Sequence, residues 1–363
     1  MSTRDFRKQA GQLAIAGFAG HSIPADLKQL AREFDLGGVI FFARNIDSPE
    51  QVADLSREAQ ELARELPLWV SVDQEGGRVA RLKAPFTVWP AMATLGRSQD
   101  EKLAERFARA LAAELKAVGI SLDYTPVLDV LTNPSNPVIG DRSLADRAEE
   151  VARLGSAIIR TLQGEGIAAS GKHFPGHGDT SVDSHFELPL IEHAPDRLHA
   201  VELLPFKAAI AAEVASIMTA HILIPALDAD RPGTLSPRIV NDLLKQQLGY
   251  RGLVLSDDLE MKAISARYGI PEATVMAIDA GCDAVLMCGA DQGPQFEALE
   301  TVIRAVEDGT LPLKRAEDAL ARHRRVKERF LTGRKAPLGG AALRAMLGRD
   351  EHQAVADEMA AFV

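Results

Sequence analysis

Eight short apolar runs recur along the chain, and longer stretches of helical period lie between them. The runs are LAIAGFAG (13–20), GGVIFF (37–42), LWVSVD (68–73), SLDYTPVLD (121–129), GIAASGKH (166–173), ASIMTAHI (215–222), GLVLSDD (252–258) and CDAVLMC (282–288). Strands buried on both faces read as apolar runs without alternation, so this rhythm predicts parallel strands joined by helical crossovers. An open doubly wound sheet usually has about five or six strands; eight βα units predict a single (β/α)8 TIM barrel. We assign residues 1–335 to the barrel and 336–363 to a short helical C-terminal tail. At about 150 residues per domain, a length of 363 would also have allowed two domains. Helix punctuation agrees with the α/β reading: Ser48 and Ser236 read as N-caps followed by Pro, and Gly249 reads as a stop.

Composition narrows the function class. The chain has 41 Lys+Arg against 51 Asp+Glu, a formal charge of −10, which argues against nucleic acid or an anionic membrane as partner. Aromatics make up only 5%, which suits packing through aliphatic side chains. Cys282 and Cys288 lie on one predicted strand, roughly 20 Å apart at about 3.3 Å per residue, too far for a disulfide. They read as buried thiols of a reducing compartment. Arg4, Arg7 and Lys8 ahead of residues 13–20 imitate a signal peptide, but the apolar run is short and HSIP follows it. We read it as the first strand and expect a cytoplasmic protein.

Polar residues gather where the predicted strands end: Asp73, Asp129, Lys172 with His173, His221, and Asp257 with Asp258. A barrel brings all of those ends to one face, where barrel enzymes carry their active sites. Two connections, 78–96 and 131–146, are too long for simple turns. The densest chemistry is KHFPGHGDTSVDSHFELP, from Lys172 to Pro189, where Gly176 and Gly178 permit tight turns. It admits two readings. His173, His177, Asp179, Asp183 and His185 could ligate a divalent metal, although Pro175 and Gly176 break any shared helical face. Alternatively Asp183 and His185, two apart in an extended segment, form a carboxylate–imidazole dyad whose second ring nitrogen faces a substrate. A nearby anion favours the imidazolium, and such a ring can serve as acid and then as base. In SDDLEM, Asp257 ends an apolar strand and is expected to be the reacting carboxylate, with Asp258 as a structural cap.

Together these segments resemble glycoside hydrolase family 3, in its branch of single-domain bacterial β-N-acetylhexosaminidases of cell-wall recycling. The resemblance rests on Lys172, His173, Pro175, Gly176, Gly178, Asp179, Asp183 and His185, on SDDL with Met261, on VDQEGGRVARL (72–82) and on NPVIGDRS (136–143). Leu144 departs from the Phe expected after DRS, and the resemblance is silent beyond about residue 335. It implies that Asp257 attacks the anomeric carbon while His185, aided by Asp183, protonates the leaving oxygen and then activates water, with net retention. Gly176 and Gly178 leave the dyad loop few restraints, so we expect it to be mobile. The resemblance further implies a sugar subsite lined by Asp73, Arg81, Arg142, Lys172 and His173, with Glu75, Arg78 and Asp129 as weaker candidates. Either Arg78 or Asp129 could instead form a structural ion pair. The implied substrate is a terminal non-reducing β-linked N-acetylglucosamine on 1,6-anhydro-N-acetylmuramic acid fragments of peptidoglycan. No metal and no organic cofactor is implied, and no protein partner is indicated. The rivals are a β-glucosidase or a phosphorylase on the same scaffold, a metal-dependent hydrolase, and a noncatalytic sugar-binding protein.

Overall fold

The computed structural model describes residues 1–363. Its strands are β1 (Ala14–Ala16), β2 (Gly38–Phe41), β3 (Trp69–Val72), β4 (Gln74–Gly76), β5 (Val79–Ala80), β6 (Leu122–Asp123), β7 (Ala168–Phe174), β8 (Ser216–Thr219), β9 (Leu253–Asp258) and β10 (Ala284–Met287). Eight of them close a barrel in the order β1-β10-β9-β8-β7-β6-β3-β2, every neighbouring pair parallel, while β4 and β5 form a separate antiparallel hairpin. The (β/α)8 architecture expected from the apolar runs is therefore the fold, with one barrel where length alone allowed two domains.

Each of the eight runs supplies one barrel strand, but the strands are shorter than the runs. Residues 121–129 keep only Leu122 and Asp123 as regular strand; beyond them single backbone bonds continue to both neighbours, and Val127 forms one bridge to Lys172. The long connection 78–96 is not loop throughout, since it holds β5 and a helix, Met92–Ser98. Ser48 caps its helix by accepting from the Gln51 N–H, with Pro49 as the first helical residue. Past Ser236 the helix starts at Arg238, and the Ser236 hydroxyl accepts from the Ile239 N–H at 3.2 Å. Gly249 follows that helix with φ +70°, a conformation that favours glycine.

The barrel is filled rather than hollow. Ile15, Ile40, Trp69, Tyr124, Leu253 and Leu286 pack inside it, and helix Leu313–Leu331 plugs its N-terminal end with Val326, Phe330 and Leu331. Trp69 Nε1 donates to His323 Nε2 at 2.7 Å, and the two rings lie edge to edge with planes 8° apart. Burial holds His323 well below its usual pKa, so its ring is neutral and that nitrogen is free to accept. Around the strands, the outer helices close a second, larger apolar layer. The tail joins that layer: helices Gly340–Arg344 and Asp350–Ala360 contribute Leu343, Val355 and Met359, and His352 Nδ1 lies 3.0 Å from Glu114 Oε1. Cys282 and Cys288 flank β10 as buried, unbridged thiols. No helix is long and apolar enough to cross a membrane.

The plug yields a prediction. Trp69→Ala empties the largest side chain of the barrel interior and strips His323 of its donor, so we expect a loss of about 3–5 kcal/mol. Urea unfolding of the two proteins followed by circular dichroism measures it; an unchanged midpoint would show that the plug contributes little.

Candidate active site

At the opposite, C-terminal end of the barrel lies a cavity of about 240 Å³. Asp73, Arg81, Arg142, Lys172, His173, Asp183, His185 and Asp257 all line it, so every site residue expected from the sequence meets in one place. They arrive from different elements: Asp73 just after β3, Arg81 just after β5, Arg142 from the turn Gly140–Arg142, Lys172 and His173 from the end of β7, and Asp257 from the end of β9.

The floor of the cavity is a chain of alternating charges. Lys172 Nζ lies 2.7 Å from Asp73 Oδ1 and 2.6 Å from Glu75 Oε1. Glu75 in turn accepts two parallel bonds from Arg142, Nε and Nη2 both at 2.8 Å, while Arg81 Nη2 approaches Asp73 Oδ2 at 3.5 Å. Read in order, Arg81, Asp73, Lys172, Glu75 and Arg142 alternate in sign, with one net positive charge. Burial by itself would raise Glu75, but Arg142 and Lys172 outweigh it and hold the carboxyl far below its ordinary value. Burial would likewise lower Lys172, yet Asp73 and Glu75 keep it above its usual value and charged. Hairpin β4–β5 fixes one end of the chain. The Gln74 side chain accepts from the Arg81 and Leu82 N–H groups and donates to Leu82 O, and the Arg81 guanidinium sits over the Phe42 ring.

A second network holds the histidines. Asp129 is fully buried; it accepts from the backbone N–H of His173 and of His177, and pairs with His173 Nδ1 at 2.7 Å. Burial would raise its pKa, but His173 outweighs that and keeps it low. His177 spends both ring nitrogens on Thr180 (2.8 Å) and Ser184 (3.2 Å), and burial pulls it down to about 4. His221 is placed similarly, between Thr234 and the Asp258 carbonyl, and burial lowers it too. Asp257 accepts one N–H, from Asp258 at 2.8 Å; burial would raise its pKa, but His221 and His173 outweigh it and keep it ionised. Asp258 has a different task. Its carboxylate accepts from Glu260 N and from Cys288 N, tying β9 to β10, and burial pushes it up to about 7.

The dyad stands apart from this rigid floor. His185 Nδ1 lies 2.7 Å from Asp183 Oδ1, and the same oxygen accepts the His185 N–H at 2.8 Å. The imidazole is 61% exposed, and its Nε2 has no protein partner. Burial would raise Asp183, but the bonds from His185 keep it below its usual value. The five candidate metal ligands of this loop disperse: His173 goes to Asp129, His177 to Thr180 and Ser184, Asp179 to His193 and Thr132, and Asp183 to His185. No three His, Cys, Asp or Glu side chains converge on one point.

The glycines here serve close approach rather than looseness. A side chain at Gly178 would collide with the Val130 carbonyl, and one at Gly176 would come within 2.9 Å of the Glu202 Cβ. Residues 173–180 are accordingly almost all buried, and exposure begins only beyond them, reaching 78% at Phe186. Of the weaker candidates, Glu75 lies at the centre of the ion chain and Asp129 at the centre of the histidine network. Arg78 pairs with Asp141 in the open at the rim. The scaffolding roles of Gln74, His177 and His221 were not legible beforehand, though His221 stood out as a polar residue at a strand end.

The strand ends of this barrel collect an ionised carboxylate, an exposed carboxylate-paired imidazole and a cage of cations and acids around one small cavity, the parts of a nucleophile and acid–base site. Residues 6–326 match the family profile "Glycosyl hydrolase family 3 N terminal domain", and the chain belongs to glycoside hydrolase family 3. It is 34% identical over 367 aligned residues to Beta-hexosaminidase A of Pseudoalteromonas piscicida, covering 93% of this chain and 60% of that protein's length. Among solved structures it is similar to a family 3 β-N-acetylglucosaminidase from Paenibacillus sp. str. FPU-7, with TM-score 0.93 and 42% identity, over 98% of this chain and 68% of that one. It is also similar to NagZ of Neisseria gonorrhoeae in complex with N-trifluoroacetyl-D-glucosamine, with TM-score 0.78 and 34% identity, over 96% of this chain and 97% of that one.

The ion chain makes a pH-dependent prediction. Glu75→Gln leaves Lys172 and Arg142 buried with one counter-charge fewer, which should cost about 3–5 kcal/mol near neutral pH. Because the folded state depresses the Glu75 pKa, its contribution is present above the ordinary glutamate value of 4.5 and is lost as pH falls below it. The gap in stability between wild type and Glu75→Gln should therefore narrow from pH 6 toward pH 3, as followed by urea midpoints. A gap that stays constant with pH would mean that Glu75 does not act through its charge.

Proposed function

We propose that this protein is a retaining exo-β-N-acetylglucosaminidase in which Asp257 is the nucleophile and His185, held by Asp183, is the acid and base. One observation carries this reading: an ionised, half-buried Asp257 and an exposed imidazole with a free Nε2 line the same small cavity. Asp257 forms the bond to the anomeric carbon as His185 Nε2 gives its proton to the departing oxygen; the same nitrogen then takes a proton from water, which releases the sugar with its configuration retained. The Asp183 carboxylate fixes the ring by its Nδ1 side and favours the imidazolium that the first step requires. Asp73 accepts from sugar hydroxyls, while Arg81, Arg142, Lys172 and His173 supply donors to hydroxyls and to the acetamido carbonyl. A cavity of about 240 Å³ suits one terminal monosaccharide, which makes the action exo.

The N-acylated glucosamine bound by the Neisseria neighbour supports N-acetylglucosamine as the unit removed. Fragments of peptidoglycan, N-acetylglucosaminyl-1,6-anhydro-N-acetylmuramoyl peptides, are the substrate we assign, acted on in the cytoplasm; the two unbridged thiols accord with that compartment.

Two variants test the roles. Asp257→Ala should reduce turnover of an aryl N-acetylglucosaminide by on the order of 10⁴-fold or more, whereas near-normal turnover would remove Asp257 from the chemistry. His185→Ala should lower kcat/KM by about 10²–10⁴-fold on a disaccharide and much less on a nitrophenyl glycoside, whose leaving group needs little protonation. Because kcat/KM reports the first bond cleavage, equal losses on both substrates would contradict the acid role.

A further inference from the structure

A second cavity, of about 300 Å³, lies at the N-terminal end of the barrel, where Pro67 and Gly119 precede β3 and β6. Its walls come from helix Pro49–Gln60, from the end of the plug helix and from the segment that leads into the tail. Arg57, Arg334 and Lys335 line it, and no carboxylate does. In a chain of net charge −10, three cations around one cavity without an acid call for an explanation.

The cations are only partly answered by the protein. Arg334 donates to the carbonyls of Gly166, at 3.0 Å, and Ile120, and has no carboxylate partner; burial alone pulls it down to about 10. Arg57 donates to the carbonyls of Pro337 and Leu338 at 3.2 and 2.9 Å, and its one acidic partner, Asp54, is largely exposed and outside the lining. An adjoining cavity on the other side of residues 334–336 differs: its Lys116 is neutralised by Glu165 at 3.0 Å.

Ser56 supplies an independent observation. It lines the cavity, is 1% exposed, and its hydroxyl has no hydrogen-bond partner. A buried hydroxyl without a partner costs roughly 1–3 kcal/mol, which a bound acceptor would relieve. Gly119 keeps the space open. It has φ +86°, and a Cβ there would come within 2.8 Å of the Ser56 Cβ and 2.6 Å of Pro337.

We propose that this cavity binds a small oxyanion, a phosphate or phosphate monoester, through Arg57, Arg334 and Lys335, with the Ser56 hydroxyl as a further donor. Guanidinium groups match phosphate oxygens in pairs, and the lysine adds a point charge. The volume exceeds that of a bare phosphate and leaves room for the organic part of a small ester. Because the site lies at the end of the barrel opposite the sugar cavity, it is independent of the glycosidase reading.

Titration calorimetry of the full chain in chloride-free buffer, with inorganic phosphate and separately with glucose 6-phosphate, tests it. We expect saturable binding of one equivalent, and the tighter of the two probes identifies whether a free or an esterified phosphate is preferred. The double variant Arg57→Gln, Lys335→Gln should weaken that binding at least about tenfold while leaving glycoside turnover unchanged. Ser56→Ala gives a signature that a purely structural role would not: weaker anion binding, yet an anion-free melting temperature equal to or above that of wild type. No saturable binding of either probe, or binding that the Arg57 and Lys335 substitutions leave intact, would overturn the proposal.

Discussion

The buried Glu75 carboxylate is the interaction on which the rest of the pocket depends. Two cations, Lys172 and Arg142, are held in a nearly water-free site by one carboxylate that lies between them and accepts from both, with Asp73 as a second partner of Lys172. Taking such charges out of water costs several kcal/mol each, and the attraction between them offsets that cost only when the geometry is close and every donor is satisfied. Glu75 meets the condition with two parallel bonds to a guanidinium and one to an ammonium. The ion chain also joins elements distant in sequence: hairpin β4–β5, the turn Gly140–Arg142 and the end of β7. The loops above the barrel are thereby drawn toward one point, and the cavity they enclose presents charge in a fixed pattern.

Rigidity and freedom are divided between the two networks at this face. Asp129, His177 and His221 use their polar atoms within the protein, and burial lowers the pKa of both histidines, which suits them to hold backbone rather than to exchange protons. The Asp183–His185 pair retains one open nitrogen and contact with solvent, as proton transfer to and from a ligand requires. Gly176 and Gly178 mark the boundary between the two regimes. They let the first half of the loop pack against Glu202 and Val130, and this anchorage positions the exposed half over the cavity.

Much of the fold was legible because parallel barrel strands are buried on both faces and leave an unmistakable run of aliphatic residues. The site was legible for a related reason: strand ends at one rim of a barrel must converge, so Asp73, Lys172, His173 and Asp257 could be grouped without knowing their distances. What spacing could not convey was pairing across the barrel mouth. Glu75 reads as one more acid beside Asp73, and its central position depends on contacts with Arg142 and Lys172, far away in the chain. The close packing at the glycines of the dyad loop was hidden for a similar reason, since close packing and conformational freedom call for the same residue. The plug formed by Trp69 and His323 was likewise invisible, because it pairs a strand near the start of the barrel with a helix beyond its last strand.

The central claim is that Asp257 bonds covalently to the sugar. Incubation with a 5-fluoro N-acetylglucosaminyl fluoride, followed by proteolysis and mass spectrometry of the labelled peptide, tests it most directly. The account predicts a stable adduct on the peptide containing SDDLEM, with the mass increment on Asp257. An adduct on another carboxylate, or turnover with no adduct and an inverted product, would contradict it.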